Sequence, residues 1–146
     1  MANNENVSMQ EDLKISKTIC KLAYRALDDK QGMDIKILDI HDISVLADYF
    51  IIAHGNNANH VQALIDAVDD ELSKNGYPVK SVEGYQSGTW ILMDCERVIV
   101  HVFHKDARLF YDLERIWSDG RIISAEELLS ELFPSLRSRY VLSFWS

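Results

Sequence analysis

The stretch DYFIIAHGNN, residues 48–57, decides the fold that the sequence predicts. Its run from Tyr49 to Ala53 is apolar on both faces, which is typical of an interior strand covered on both sides. The run stops at His54 and Gly55, and a helical pattern with one apolar face follows directly. A buried strand that leads straight into an amphipathic helix indicates an α/β protein.

The same periodicity predicts the elements on either side of this stretch. The further helices begin at Glu11 and at Asp106, which caps the second of them, and Asn59 with Gln62 caps the helix after residue 57. The further strands cover residues 34–40, 79–83, 90–94 and 98–103, and the last two form an antiparallel hairpin. The order α-β-β-α-β-β-β-α predicts an α/β fold in which helices flank a mixed β-sheet.

The two ends of the chain differ in pattern from this central part. Residues 1–10 are polar and predict a flexible tail, so the folded domain is expected to cover residues 11–117. Residues 118–146 form a C-terminal extension with a capping box, Ser124 with Glu127, and a short helix that ends at Pro134. This extension could pack on the core, extend a dimer contact, contact ribosomal RNA through Arg137 and Arg139, or remain disordered.

Composition and charge exclude several classes of protein. No apolar run approaches the roughly 18 residues of a membrane span, and the start is not a signal peptide, so we expect a cytoplasmic protein. The net charge of −8 disfavours direct binding of DNA or RNA backbones and suits a basic protein partner. Solubility alone would also explain that charge. The two cysteines, Cys20 and Cys95, form no metal or redox motif.

No catalytic group can be assembled from the sequence. The turn at Gly55 lacks the further glycines and the Gly-Lys-Ser/Thr ending of a phosphate loop, so an ordinary turn with asparagine capping explains it better. The histidines lack the spacing of a metal pair. The aspartates of the predicted strands, Asp34, Asp39, Asp48 and Asp94, do not form the Asp-x-Asp pair that would place two carboxylates on one face. We therefore predict no catalytic, cofactor-binding or metal-binding residue.

The hairpin of residues 90–103 is the best candidate for a binding surface. Because side chains alternate along a strand, Trp90, Leu92 and Asp94 share one face, whereas His101 and Phe103 lie opposite the hairpin's valines. Exposed aromatic anchors are enriched at protein interfaces. The periodicity leaves open whether helices cover these residues.

An ordered set of short segments resembles the Iojap family, the ribosomal silencing factors, from about Ile15 to Trp117. The segments are Asp34-Ile35, Asp48 to Ala53 with Gly55, His60-Val61, Val82 to Gly84, Trp90 to Asp94, Val100 to Phe103, Arg108, and Tyr111 to Trp117. The resemblance implies a nucleotidyltransferase-like α/β fold without transferase activity. It also implies a protein that binds the L14-type protein of the large (50S) ribosomal subunit, keeps the small subunit away and represses translation, and that is commonly dimeric in isolation.

The resemblance also implies a set of partner-binding residues. Trp90 and Tyr111 would be aromatic anchors, Asp94 would meet a basic or hydroxyl group of the partner, and Phe103 could be buried instead. The full set that matches the family's interface is Trp90, Asp94, His101, Phe103, Arg108 and Tyr111. Phe110, Leu113 and Trp117 fit packing better than contact. This chain departs from the family at its end, since many members stop near the position of Trp117.

Two other hypotheses belong to different classes of function. A nucleotide-binding or nucleotidyltransfer enzyme on the same fold would require carboxylates that converge near Gly55. A dimeric scaffold would bind no ribosomal component. We favour the non-enzymatic ribosome-binding regulator.

Overall fold

The computed structural model describes residues 4–118 and 122–136 and contains one five-stranded mixed sheet. The spatial order of the strands is β1-β2-β5-β4-β3, in which β2 and β5 are parallel and the other pairs antiparallel. The strands are β1 (Met33–Asp39), β2 (Tyr49–Gly55), β3 (Ser81–Glu83), β4 (Trp90–Asp94) and β5 (Val98–His104). The predicted α/β class, the mixed sheet and the hairpin of β4 and β5 are confirmed.

The helices are α1 (Asn4–Asp29), α2 (Ala58–Lys74), α3 (Lys105–Tyr111), α4 (Leu113–Ser118) and α5 (Ile122–Leu132), and a short 3-10 helix covers Pro134–Leu136. The backbone of α1 is already helical at Asn4, inside the segment 1–10 for which we predicted a flexible tail. Polar residues cost little in an exposed helix, so the helix continues past its apolar stripe. The mobility of this segment and the division of the chain at Trp117 stay predictions.

The three central strands, β2, β5 and β4, are buried on both faces, whereas the edge strands β1 and β3 are largely exposed or half-buried. One face packs against α1 and α2, with β2 supplying Ile51 and Ala53. The other face, here called the second sheet face, packs against α4, α5 and the 3-10 helix, with β2 supplying Phe50 and Ile52. The strand predicted to be interior is therefore paired on both edges and covered on both sides.

Four local predictions were wrong. Asp106 does not cap α3, because His104 is the N-cap and its side chain accepts from the backbone N–H of Asp106. Ser124 does not cap α5, because that helix already begins at Ile122. Asn57, and not Asn59, caps α2: its side-chain oxygen accepts a hydrogen bond from the backbone N–H of His60 at 2.8 Å. The helix predicted after Asp106 is interrupted at Asp112, whose left-handed backbone (φ 43°) separates α3 from α4. Aspartate tolerates this conformation better than most residues, so no glycine marks the break. In the described ranges, every helix is too short or too polar to cross a membrane.

Candidate protein-binding site

Four of the six predicted site residues form one aromatic cluster on the second sheet face. Trp90 of β4 lies opposite Phe103 of β5 in the antiparallel register, and their rings stack with centroids 4.7 Å apart. Tyr111 of α3 packs on the same indole at 4.6 Å. The hairpin register and the position of α3 together bring into contact residues that are separated by up to 21 positions in sequence.

His101 is the polar member of this cluster and is completely buried. Its Nδ1 accepts a hydrogen bond from the indole Nε1–H of Trp90 at 3.1 Å, which assigns the ring proton of the neutral imidazole to Nε2. Burial lowers the pKa of His101 to about 3. The Nε2–H has no hydrogen-bond partner within the described part of the chain.

Tyr111 is the member of the cluster that reaches the surface. It is half-buried and lines an open depression of about 510 Å³ together with Thr89, His104, Asp106 and Ala107. Trp90, in contrast, is only 6% exposed. Of the two predicted anchors, only Tyr111 is accessible in this conformation.

Phe103 and Asp94 occupy different environments. Phe103 is 1% exposed, in agreement with the alternative that its side chain is buried. Asp94 lies at the other end of β4 from Trp90, roughly 13 Å along the strand. It is fully buried, and its Oδ1 accepts a hydrogen bond from the backbone N–H of Glu96 at 2.9 Å. The fold therefore separates Asp94 from the aromatic cluster.

Arg108 is also buried and turned away from the cluster. Its Nε donates to Glu114 at 2.9 Å, its Nη1 contacts Nδ1 of His54 at 2.9 Å, and its Nη2 lies 3.6 Å from a carboxylate oxygen of Asp34. Desolvation, followed by the neighbouring Arg108 charge, lowers the pKa of His54. This network joins α3 and α4 to β1 and β2. Its members other than Arg108 were not predicted, although Asp34 and Glu114 lie in the segments that carry the family resemblance.

The second sheet face is covered by residues 122–136. Leu129 of α5, Phe133 just after α5 and Leu136 of the 3-10 helix are buried in the same core as Trp90 and Phe103. The ring of Phe133 meets the Trp90 indole edge-on at 4.9 Å. The described part of the C-terminal extension thus packs on the core, and its Phe133 covers Trp90, one of the predicted partner-binding residues.

The surroundings of Gly55 do not provide the carboxylates that a nucleotidyltransferase would need. Asp34 and Glu114 are both engaged by Arg108, and Asp106 lies beside His104, the strand partner of Gly55. No group of three or more metal-ligating side chains occurs among the described residues. Cys20 and Cys95 are buried, and burial raises the pKa of each thiol to about 12, so neither is an activated nucleophile.

Comparison with known proteins gives a consistent result over most of the chain. A family model described as "Ribosomal silencing factor during starvation" matches residues 14–138 and so extends past Trp117. The chain is 48% identical over 104 residues to the ribosomal silencing factor RsfS of Bacillus subtilis, which covers 71% of this chain and 88% of that protein. It is 37% identical over 115 residues to the RsfS of Halalkalibacterium halodurans, which covers 79% of this chain and 98% of that protein.

The fold also resembles solved structures. A crystal structure of a protein from Chromobacterium violaceum superposes with a TM-score of 0.68 at 37% identity. The superposition covers 70% of this chain and 85% of that chain. The arrangement of strands and helices described above is therefore shared with an experimentally determined structure.

Proposed function

Because this chain belongs to the RsfS family of ribosomal silencing factors, which are not enzymes, we propose that it binds the large ribosomal subunit through the L14-type protein. An occupied L14-type protein would prevent the small subunit from joining and so repress translation. The observation that carries the proposal is the aromatic cluster of Trp90, His101, Phe103 and Tyr111 beside the open depression. Aromatic side chains near the centre of an interface are the usual binding anchors.

The charge of the molecule supports a protein partner of this kind. A net charge of −8 matches a basic ribosomal protein better than exposed phosphates. A cytoplasmic location and a homodimer in the isolated state are parts of the same proposal. Relatives from bacteria support the location, and the family resemblance supports the dimer.

Tyr111 provides the sharper test of the site, because removing the buried indole of Trp90 would itself cost about 3–5 kcal/mol of stability. Tyr111→Ala removes an accessible anchor, and we expect a loss of about 2 kcal/mol, or roughly thirtyfold in Kd. The measurement is co-sedimentation of purified protein with isolated large and small subunits. Circular dichroism would confirm that the variant is folded.

Tyr24→Ala is the matched control, since Tyr24 is an exposed tyrosine on α1, beyond the opposite face of the sheet. It should pellet with the large subunit as the wild type does. Failure to sediment with the large subunit, both by the wild type and by variants that uncover Trp90, would refute the proposal. Equal binding by Tyr111→Ala would leave the function in place and remove Tyr111 from the site.

A further inference from the structure

We propose that residues 122–136, here called the C-terminal strap, are an autoinhibitory element that must leave the second sheet face before the ribosomal protein can bind there. The inference rests on the proposed function, because it concerns access to that same site. It follows from a direct conflict in the structure. Trp90, an anchor expected to contact the partner, is already covered by Phe133 of the chain's own C-terminal segment.

The strap side chains that pack on the second sheet face are apolar, so they fill the space that an apolar surface of a partner would need. Leu129 and Leu136 are completely buried and Phe133 is 5% exposed. The ring of Phe133 meets the Trp90 indole edge-on, with the ring centroids 4.9 Å apart. A partner that uses Trp90 as an anchor needs the space that Phe133 fills, so the two cannot be accommodated together.

Polar contacts hold the strap near both of its ends. Near the start, the carboxylate of Glu126 is 5% exposed and accepts hydrogen bonds from the Ser44 hydroxyl at 2.9 Å and the Val45 backbone N–H at 3.2 Å. Near the end, the backbone N–H of Ser135 donates to a carboxylate oxygen of Glu83 at 3.2 Å. These contacts join the strap to the loop between β1 and β2 and to β3, so the closed position is specific.

The closed position also has unfavourable features that a partner could relieve. The Nε2–H of His101 and the indole N–H of Trp117 are buried without an acceptor within the described residues, and Trp117 lies in the same core cluster as the strap's Leu129 and Phe133. The carboxylate of Glu126 is buried, and desolvation raises its pKa in spite of the hydrogen bonds from Ser44 and Val45. Unsatisfied buried groups destabilise the state that contains them. The strap therefore covers the face but leaves these buried N–H groups without acceptors among the described residues, as expected of a displaceable element.

The test opens the strap without changing the sheet. Phe133→Asp places a charge in the contact between strap and sheet, whereas Leu132→Asp places the same charge on the exposed neighbouring residue (42% exposed). If the strap is open in about one molecule in ten or fewer, opening it should tighten binding of isolated large subunits roughly tenfold or more. Leu132→Asp should bind as the wild type does. Adding Tyr111→Ala to Phe133→Asp should abolish the gain.

A second pair of variants answers the same question if Phe133→Asp does not fold. Glu126→Ala removes the acceptor for Ser44 and Val45 and should tighten binding, whereas Glu126→Gln keeps an acceptor and should not. Light scattering on each variant would identify any dimer that takes the place of the strap.

The outcomes separate the two proposals. Tighter binding by the opened variants and not by their controls supports autoinhibition. Folded opened variants that bind the large subunit no better than the wild type overturn it and leave the proposed function standing. If neither the wild type nor any opened variant binds the large subunit, the proposed function is wrong and the autoinhibition falls with it.

Discussion

At the scale of single residues, His101 combines a hydrogen bond with a titratable ring that has no access to water. The neutral ring accepts the Trp90 indole hydrogen, and burial keeps the folded-state pKa near 3 while the ordinary value is 6.5. Below pH 6.5 the unfolded chain binds a proton at this position that the folded protein does not bind. The free energy of unfolding must therefore fall as the pH decreases from 6.5 toward 3.

His101→Gln tests this linkage, because an amide oxygen can still accept the indole hydrogen but does not titrate. One proton corresponds to about 1.4 kcal/mol per pH unit, so the wild type should lose about 2 kcal/mol more than the variant between pH 6.5 and pH 5. Urea unfolding across this range measures the difference. Parallel pH profiles for the two proteins would contradict a buried neutral histidine.

His41→Gln is the control for that experiment. His41 is half-buried, and its hydrogen bond with Asp39 raises its pKa, so this ring stabilises the folded state at low pH and does not contribute to the loss. The fall in stability toward pH 5 should persist in this variant.

At the scale of elements, the start of α2 shows how a cap decides where a helix begins. Asn57 has an extended backbone and its side chain accepts from the N–H of His60, whereas Asn59 already lies inside the helix. The sequence offers both asparagines within three positions. Only the backbone conformation shows that Asn57 is the cap, because the capping residue must precede the first helical turn for its side chain to accept a hydrogen bond from a backbone N–H of that turn.

Asn57→Ala should lower the free energy of unfolding by about 1 kcal/mol, because one N–H at the helix start loses its acceptor. Asn59→Ala should change it by a few tenths at most, since alanine is favourable inside a helix. Chemical denaturation of both variants measures the difference. An equal loss in the two variants would show that capping is not what fixes this helix start.

At the scale of the whole molecule, acidic charge and the covered sheet face act on the same proposed encounter. The net charge of −8 would attract a basic ribosomal protein at a distance, and the strap would set how often the contact face is available. Charge would therefore affect mainly the association rate constant, whereas the strap would affect the fraction of competent molecules.

The association rate constant with the purified L14-type protein should fall as salt increases. The Debye length decreases from about 30 Å at roughly 0.01 M to about 8 Å at roughly 0.15 M ionic strength, which screens the attraction. Biolayer interferometry measures the rate constants. Asp69→Asn with Asp70→Asn, on the exposed face of α2, should make the salt dependence shallower. A salt effect confined to dissociation would contradict electrostatic steering.

The sequence by itself determined the strands, the order of the elements, the mixed sheet and the family, because alternation and helical periodicity are local properties of the chain. It also determined which side chains of one strand share a face, as Trp90, Leu92 and Asp94 do, whereas the register that places Trp90 beside Phe103 came from the structure. Only the tertiary structure decided that residues 122–136 cover this face, that Asp94 lies far from the cluster, and that Arg108 is held by His54 and Glu114. Periodicity states which face of a strand is apolar, but what covers that face depends on contacts between residues distant in sequence.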